Sequence, residues 1–104
     1  MKDYSAMSDY LINQHVAESL TGRYLYFPDY VWDSEEEKRF DPCNNSADAW
    51  PIILSERISI EHDGDCWRSD LFNENGGYEA ESDSPLRAAM TVFLMMKDAE
   101  KCDG

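Results

Sequence analysis

Hydrophobic and polar positions alternate along the chain in a way that predicts a helix near each end and strands between them. A first helix is predicted over residues 9–20, because apolar side chains recur at every fourth position on one face. Ser8 is a suitable N-cap for it, and Gly22 is placed to end it in a left-handed conformation.

The C-terminal helix has the clearest pattern. Ser84 can cap it, and Pro85 suits its first turn because the proline ring presets the backbone angle. Apolar side chains then recur at helical spacing, at Leu86, Ala89, Met90, Phe93 and Leu94. The polar stripe beside them is narrow. So wide an apolar arc requires a sheet and a second neighbour, either another helix or a partner protein.

A shorter helix is predicted in the middle of the chain. With Asp48 as its N-cap and an end near Ser55, Pro51 falls in the first turn, where proline is tolerated. Trp50 and Leu54 then share a face at four-residue spacing, together with Ile53. This face is expected to join the core.

Four short segments are rich in aromatic residues or alternate between apolar and polar positions, as strands do. They are residues 23–27, 57–61, 66–72 and 78–81. Asp63-Gly64 is a strong hairpin signal, and a further turn is predicted at residues 75–77, so the last three segments form an antiparallel meander. The predicted fold class is α+β, with a small antiparallel sheet of about three strands packed against the N-terminal and C-terminal helices, as in an α-β-α sandwich.

Residues 28–45 show no apolar period and are predicted to form one acidic loop. The chain of 104 residues is too short for two cores, so residues 1–104 are expected to form a single domain, with a candidate disordered tail from about residue 100.

Charge limits the range of partners. Twenty-two Asp and Glu residues against nine Lys and Arg give a net charge of −13, which repels nucleic-acid phosphates and anionic lipids. Direct nucleic-acid or membrane binding is therefore not expected. The first residues lack the apolar run of a signal peptide, which favours the cytoplasm of the cell that makes the protein. The odd number of cysteines, at Cys43, Cys66 and Cys102, favours free thiols.

Three stretches together resemble a known family. They are residues 20–23, residues 41–53 and residues 85–96. They are similar to the NinX-like family of small proteins encoded by tailed phages and prophages of enteric bacteria, over residues 7–97 or so, and more weakly to the broader phage α-β-α sandwich domain. The resemblance implies a phage origin and an α+β fold. It implies no catalytic residue, because no activity is established for the family.

Catalytic chemistry has two candidate sites in the sequence. Asp63, Asp65 and Asp70 could hold a metal ion, which leaves a small metal-dependent enzyme as the alternative function. Their order fits neither a calcium loop nor a zinc site, so a solvated hairpin turn is the favoured interpretation. Cys43 with a histidine as base could be a nucleophile, but a buried packing role is favoured. No catalytic residue, metal or cofactor is predicted.

Negative charge and one exposed aromatic residue carry the functional prediction. Trp32 stands among acids, as an anchor of a protein interface would. The candidate partner-binding residues are Trp32, Glu35, Glu36, Glu37, Glu79, Glu81 and Asp83. If the two acidic segments share a face, they would attract a host protein with a basic surface and could imitate the charge rows of DNA, as an anti-defence factor would. The alternative is that the charge only keeps the protein soluble.

Overall fold

The chain folds into three α-helices and six β-strands in the computed structural model, which describes residues 3–103 and their side chains as far as residue 101. The elements follow a short 3-10 turn, Tyr4–Ala6, in the order α1 Asp9–Leu20, β1 Tyr24–Tyr26, β2 Val31–Asp33, β3 Lys38–Phe40, α2 Ser46–Glu56, β4 Ser59–Asp63, β5 Cys66–Asn73, β6 Gly76–Ser82 and α3 Pro85–Asp103. The α+β class predicted from the sequence is confirmed.

The strands form two antiparallel sheets of three strands each. Sheet A has the order β1-β2-β3 and packs against α1, whereas sheet B has the order β4-β5-β6 and packs against α3. Helix α3 also packs against α1 and α2, so the second neighbour that its wide apolar arc required is a pair of helices. The centre of the core is formed by fully buried side chains, the largest being Phe93, Ile12, Met90 and Val16.

Local signals placed α1, α3 and sheet B correctly. The Ser8 hydroxyl accepts the Leu11 N–H at 3.2 Å and caps α1, while the Ser84 hydroxyl accepts the Arg87 N–H at 3.3 Å in the first turn of α3. Helix α1 ends at Leu20 as predicted, Thr21 is its C-cap, and Gly22 follows with a positive φ of 100°. The tail predicted from about residue 100 is instead helical as far as residue 103, and Gly104 lies outside the described residues.

The prediction of one acidic loop over residues 28–45 is wrong. Strands β2 and β3 of sheet A lie within it, with Val31 and Phe40 buried on the inner face. Each strand has only three residues, too few for a visible alternation. The acids that dominated the pattern occupy the turn between them. There the Asp33 carboxylate accepts the backbone N–H groups of Glu35 and Glu36 at 3.0 and 3.1 Å.

Helix α2 begins three residues earlier than predicted and presents a different face to the core. Its N-cap is Asn45, not Asp48, and the Asn45 side chain accepts the Ala47 N–H. Trp50 and Leu54, predicted to be core residues, are 51% and 60% exposed. The buried face is formed by Ala49, Ile52 and Ile53. Both faces satisfy three- and four-residue spacing, so periodicity alone could not choose between them.

Candidate functional site

One face of sheet B is not covered by any helix or strand of the described residues. On its inner face Ser69 and Leu71 are buried against α3, with Tyr78 and Ala80 partly buried beside them. Because side chains alternate along a strand and directly paired residues share a face, the register assigns the opposite side chains to one surface, which we call the outer face of sheet B. It consists of Ser59, Glu61, Asp63, Cys66, Arg68, Asp70, Phe72, Gly77, Glu79 and Glu81.

The outer face of sheet B is strongly acidic. Its five carboxylates surround a single guanidinium, that of Arg68. Arg68 hydrogen-bonds to Glu61 across the β4–β5 pair, and it lies 3.7 Å from a carboxylate oxygen of Asp63 and 3.7 Å from one of Asp70. The neighbouring carboxylates, Glu61 first among them, raise the pKa of Arg68. One cation cannot neutralise five anions, so the face keeps an excess of negative charge.

Phe72 adds an exposed aromatic ring at the turn end of this face. It is 79% exposed, the highest value among the large hydrophobic residues of the described chain. The ring leans on Gly77 of β6, where an added Cβ atom would lie only 2.6 Å from it. Phe72 is not among the partner-binding residues predicted from the sequence, although its alternation with Arg68 and Asp70 assigns it to the polar face.

The predicted partner-binding residues divide between the two sheets. Glu79 and Glu81 lie on the outer face of sheet B, and Asp83 follows β6, exposed, just before α3. Glu35, Glu36 and Glu37 lie in the β2–β3 turn of sheet A. The two acidic segments therefore belong to different sheets. The charges that join Glu79 and Glu81 come from β4 and β5 instead.

Trp32 lies in β2, the middle strand of sheet A, whereas the sequence predicted a loop there. Its register partners are Leu25 on β1 and Arg39 on β3, so these three side chains share one face. Trp32 is half-buried there, whereas Leu25 is 51% exposed.

Two ion pairs line a cleft of about 520 Å³ between sheet A and α2. Arg23 bonds to Asp33 at 2.9 Å, and Lys38 bonds to Asp48 at 2.7 Å. Burial alone would raise the pKa of Asp33, but hydrogen bonds from Glu36, Glu35 and Arg23 outweigh it and hold that pKa below its ordinary value. These charges are already paired within the fold. The Arg23 pair joins the residue before β1 to β2, and the Lys38 pair joins β3 to α2.

A family model described as bacteriophage P22, NinX matches residues 3–97 of the chain. The chain belongs to this NinX family. The resemblance predicted from three stretches of the sequence is thereby confirmed. No curated protein and no solved structure matches the chain. The matched part of this NinX family member includes both sheets, and with them the whole outer face of sheet B.

Two of the three candidate metal ligands of this NinX family member lie beside a cation, and its candidate nucleophile is buried. Asp63 and Asp70 lie beside the Arg68 guanidinium, and no group of three or more His, Cys, Asp or Glu side chains in the described part of the chain is arranged to hold a metal ion. Cys43 is buried, which raises the pKa of its thiol to about 12. Cys43 and Cys66 are free thiols, whereas the Cys102 side chain lies outside the described residues.

None of the helices described within residues 3–103 combines the length and the apolar character needed to span a bilayer.

Proposed function

We propose that this phage protein binds a host protein with a basic surface through the outer face of sheet B, in the cytoplasm of the host cell. One observation carries the proposal: an uncovered sheet face holds five carboxylates around one arginine, with an exposed aromatic ring, that of Phe72, at its end. Antiparallel sheets often leave one face to solvent, but that alone does not require such an excess of one charge.

The carboxylates are close enough to act as one field. Alternate residues along a strand lie roughly 7 Å apart, and neighbouring strands lie about 5 Å apart. Both distances are shorter than the Debye length of about 8 Å at physiological ionic strength. The charges of Glu61, Asp70 and Glu79 are therefore not screened from one another, and their sum attracts a basic surface during diffusion.

A host DNA-binding protein is the class of partner that we propose. Such proteins carry basic surfaces that normally meet rows of phosphates. Rows of carboxylates on β4 and β6 offer charges of the same sign. Membership of a phage family supports this class, since occupying the DNA-binding surface of a host defence protein would serve a phage. We propose no catalytic step.

Trp32 enters the proposal as the anchor of a second contact on sheet A. The ring is half-buried in the middle strand beside Leu25, so a partner could cover it at a small further cost in side-chain ordering. Aromatic anchors of this kind act mainly by slowing dissociation.

Affinity capture from the lysate of an enteric bacterium tests the proposal. The wild-type chain is compared with the double variant Glu79→Gln, Glu81→Gln and with a matched control, Glu36→Gln, Glu37→Gln, which removes the same charge from sheet A. We expect a basic protein to be retained by the wild type and the control at low salt and lost with the test variant. Equal retention by all three chains would contradict the proposal.

A further inference from the structure

Strand β6 is an edge strand with a free row of backbone hydrogen-bonding groups. Within residues 3–103 it pairs only with β5, and Asn73 and Gly76 close that hairpin around a turn of two residues. Such a closing pair exchanges both of its backbone hydrogen bonds, and hydrogen-bonded pairs alternate along an antiparallel ladder. Tyr78 and Ala80 therefore bond to β5. The N–H and C=O groups of Glu79 and of its alternate neighbours point away from the sheet.

Those outward groups border a groove of about 1030 Å³ between β6 and α3. Its lining is mostly apolar, with Tyr78 and Ala80 from the strand and Met95 and Ala99 from the helix. Three charged side chains of α3 also line it, those of Arg87, Asp98 and Lys101. The Tyr4 hydroxyl closes the groove on the far side, since it donates a hydrogen bond to the Asp98 carboxylate of α3. The groove is thus bounded by side chains that the fold holds in place, and it runs beside the unpaired edge of β6.

We infer that an extended segment of the partner adds to β6 as a fourth, antiparallel strand of sheet B, and that this segment alternates basic with apolar residues. In antiparallel pairing, the residue that faces Glu79 exchanges both backbone hydrogen bonds with it, and its side chain lies on the same face as Glu79. That face is acidic, so the residue is basic. The next residue points to the opposite side, into the apolar groove, so it is apolar. The inference rests on the proposed function, because it specifies how the basic partner binds.

A second copy of the chain fits this edge poorly. Antiparallel pairing of two β6 strands would bring the carboxylates of Glu79 and Glu81 of one copy against those of the other on the outer face. Like charges placed directly opposite each other destabilise a strand pair. Acidic side chains at this edge therefore oppose self-association while they favour a basic strand.

Peptide binding tests the inference. The probe is a fluorescent seven-residue peptide that alternates lysine and valine, about as long as β6 itself, and its affinity is measured by anisotropy. Two further peptides carry backbone N-methyl groups, on the lysines in one and on the valines in the other. The lysine nitrogens face β6 in the inferred register, so their methylation should weaken binding at least tenfold. Methylation of the valine nitrogens should change it less than twofold. Equal effects of the two sets, or loss with the valine set alone, would overturn the inference.

Variants of the protein separate this inference from the proposed function. The double variant Glu79→Gln, Glu81→Gln should weaken binding of the alternating peptide about tenfold, whereas the control Glu36→Gln, Glu37→Gln should bind as the wild type does. A peptide of the same composition with its lysines and valines in separate blocks should bind at least tenfold more weakly than the alternating one. If both peptides bind equally and both respond to the Glu79 and Glu81 changes, the acidic face attracts basic chains but the added strand is refuted. Dimerisation of the free chain through β6 would also refute it.

Discussion

Replacement of Asp33 by Asn should destabilise the fold substantially, although Asp33 lies in the most acidic part of the sequence. Its side chain is 2% exposed and accepts hydrogen bonds from the Arg23 guanidinium at 2.9 Å and from two backbone N–H groups of the β2–β3 turn. Asparagine can keep a bond to the turn, but its amide carries no charge and cannot accept from Arg23 with its NH₂ group. The substitution therefore leaves a guanidinium without its buried partner.

The expected loss follows from that geometry. Breaking a buried ion pair by removal of one partner costs about 3–5 kcal/mol. The Arg23 side chain is 39% exposed, so water partly solvates its guanidinium after the carboxylate is removed. We therefore expect Asp33→Asn to lower the free energy of unfolding by about 2–3 kcal/mol. In a domain of this size, such a loss lowers the melting temperature by roughly 10–20 °C. The matched control is Glu35→Gln. Glu35 lies 3.3 Å from the same guanidinium but is 68% exposed, so its loss should cost less than about 0.5 kcal/mol.

Urea denaturation followed by tryptophan fluorescence measures both variants, and its pH dependence supplies a second test. Hydrogen bonds hold the pKa of Asp33 below its ordinary value in the folded chain. Its stabilisation is therefore complete above the pKa of the unfolded chain, about 3.9, and is lost as pH falls through the lower folded value. The difference in stability between the wild type and Asp33→Asn should therefore begin to shrink below about pH 4 and continue to shrink as pH falls further. Equal losses from Asp33→Asn and Glu35→Gln at pH 7, or a constant difference down to pH 3, would show that the buried carboxylate of Asp33 does not stabilise the fold in this way.

Three further predictions concern the core, the thiols and the second contact. Phe93→Ala should lower the free energy of unfolding by about 3–5 kcal/mol, because Phe93 is 1% exposed. Thr91→Ala should lower it by less than about 1 kcal/mol. Urea denaturation measures both losses, and equal values would show that the buried face of α3 is misassigned. After iodoacetamide treatment at pH 8, mass spectrometry should find Cys66 alkylated well before Cys43, because burial raises the pKa of the Cys43 thiol to about 12. The reverse order would contradict the burial of Cys43. Trp32→Ala should speed dissociation of the captured partner more than it slows association in surface-plasmon kinetics, and an unchanged dissociation rate would remove Trp32 from the contact.

The sequence predicted those elements whose signals are local. A cap, a first-turn proline and helical spacing identified α3, and an Asp-Gly turn between alternating residues identified β4 and β5. The strand predicted over residues 23–27 is β1 of sheet A, but β2 and β3 were missed because Asp33 looks like one more acid of a solvated run. One local feature indicates a buried turn: Asp33 precedes Glu35 and Glu36 by two and three residues, and the backbone N–H groups of both need an acceptor.

The candidate site was predicted in part, because it depends on how distant segments meet. Glu79 and Glu81 lie on one face with carboxylates of β4 and β5, whereas the sequence grouped them with Glu35–Glu37. No local pattern of residues in the sequence indicates which sheet a strand joins. The groove beside β6 likewise depends on the packing of α3 and Tyr4 and has no signature along the chain.

Surface-plasmon kinetics against the captured host protein measure whether the outer face of sheet B attracts a basic partner. We expect the association rate to fall as salt is raised. At low salt, Glu79→Gln, Glu81→Gln should lower this rate, while Glu36→Gln, Glu37→Gln should leave it near the wild-type value. The difference between the variants should shrink at high salt. If the association rate rises with salt, or if both pairs of substitutions lower it equally, the outer face of sheet B does not attract the partner.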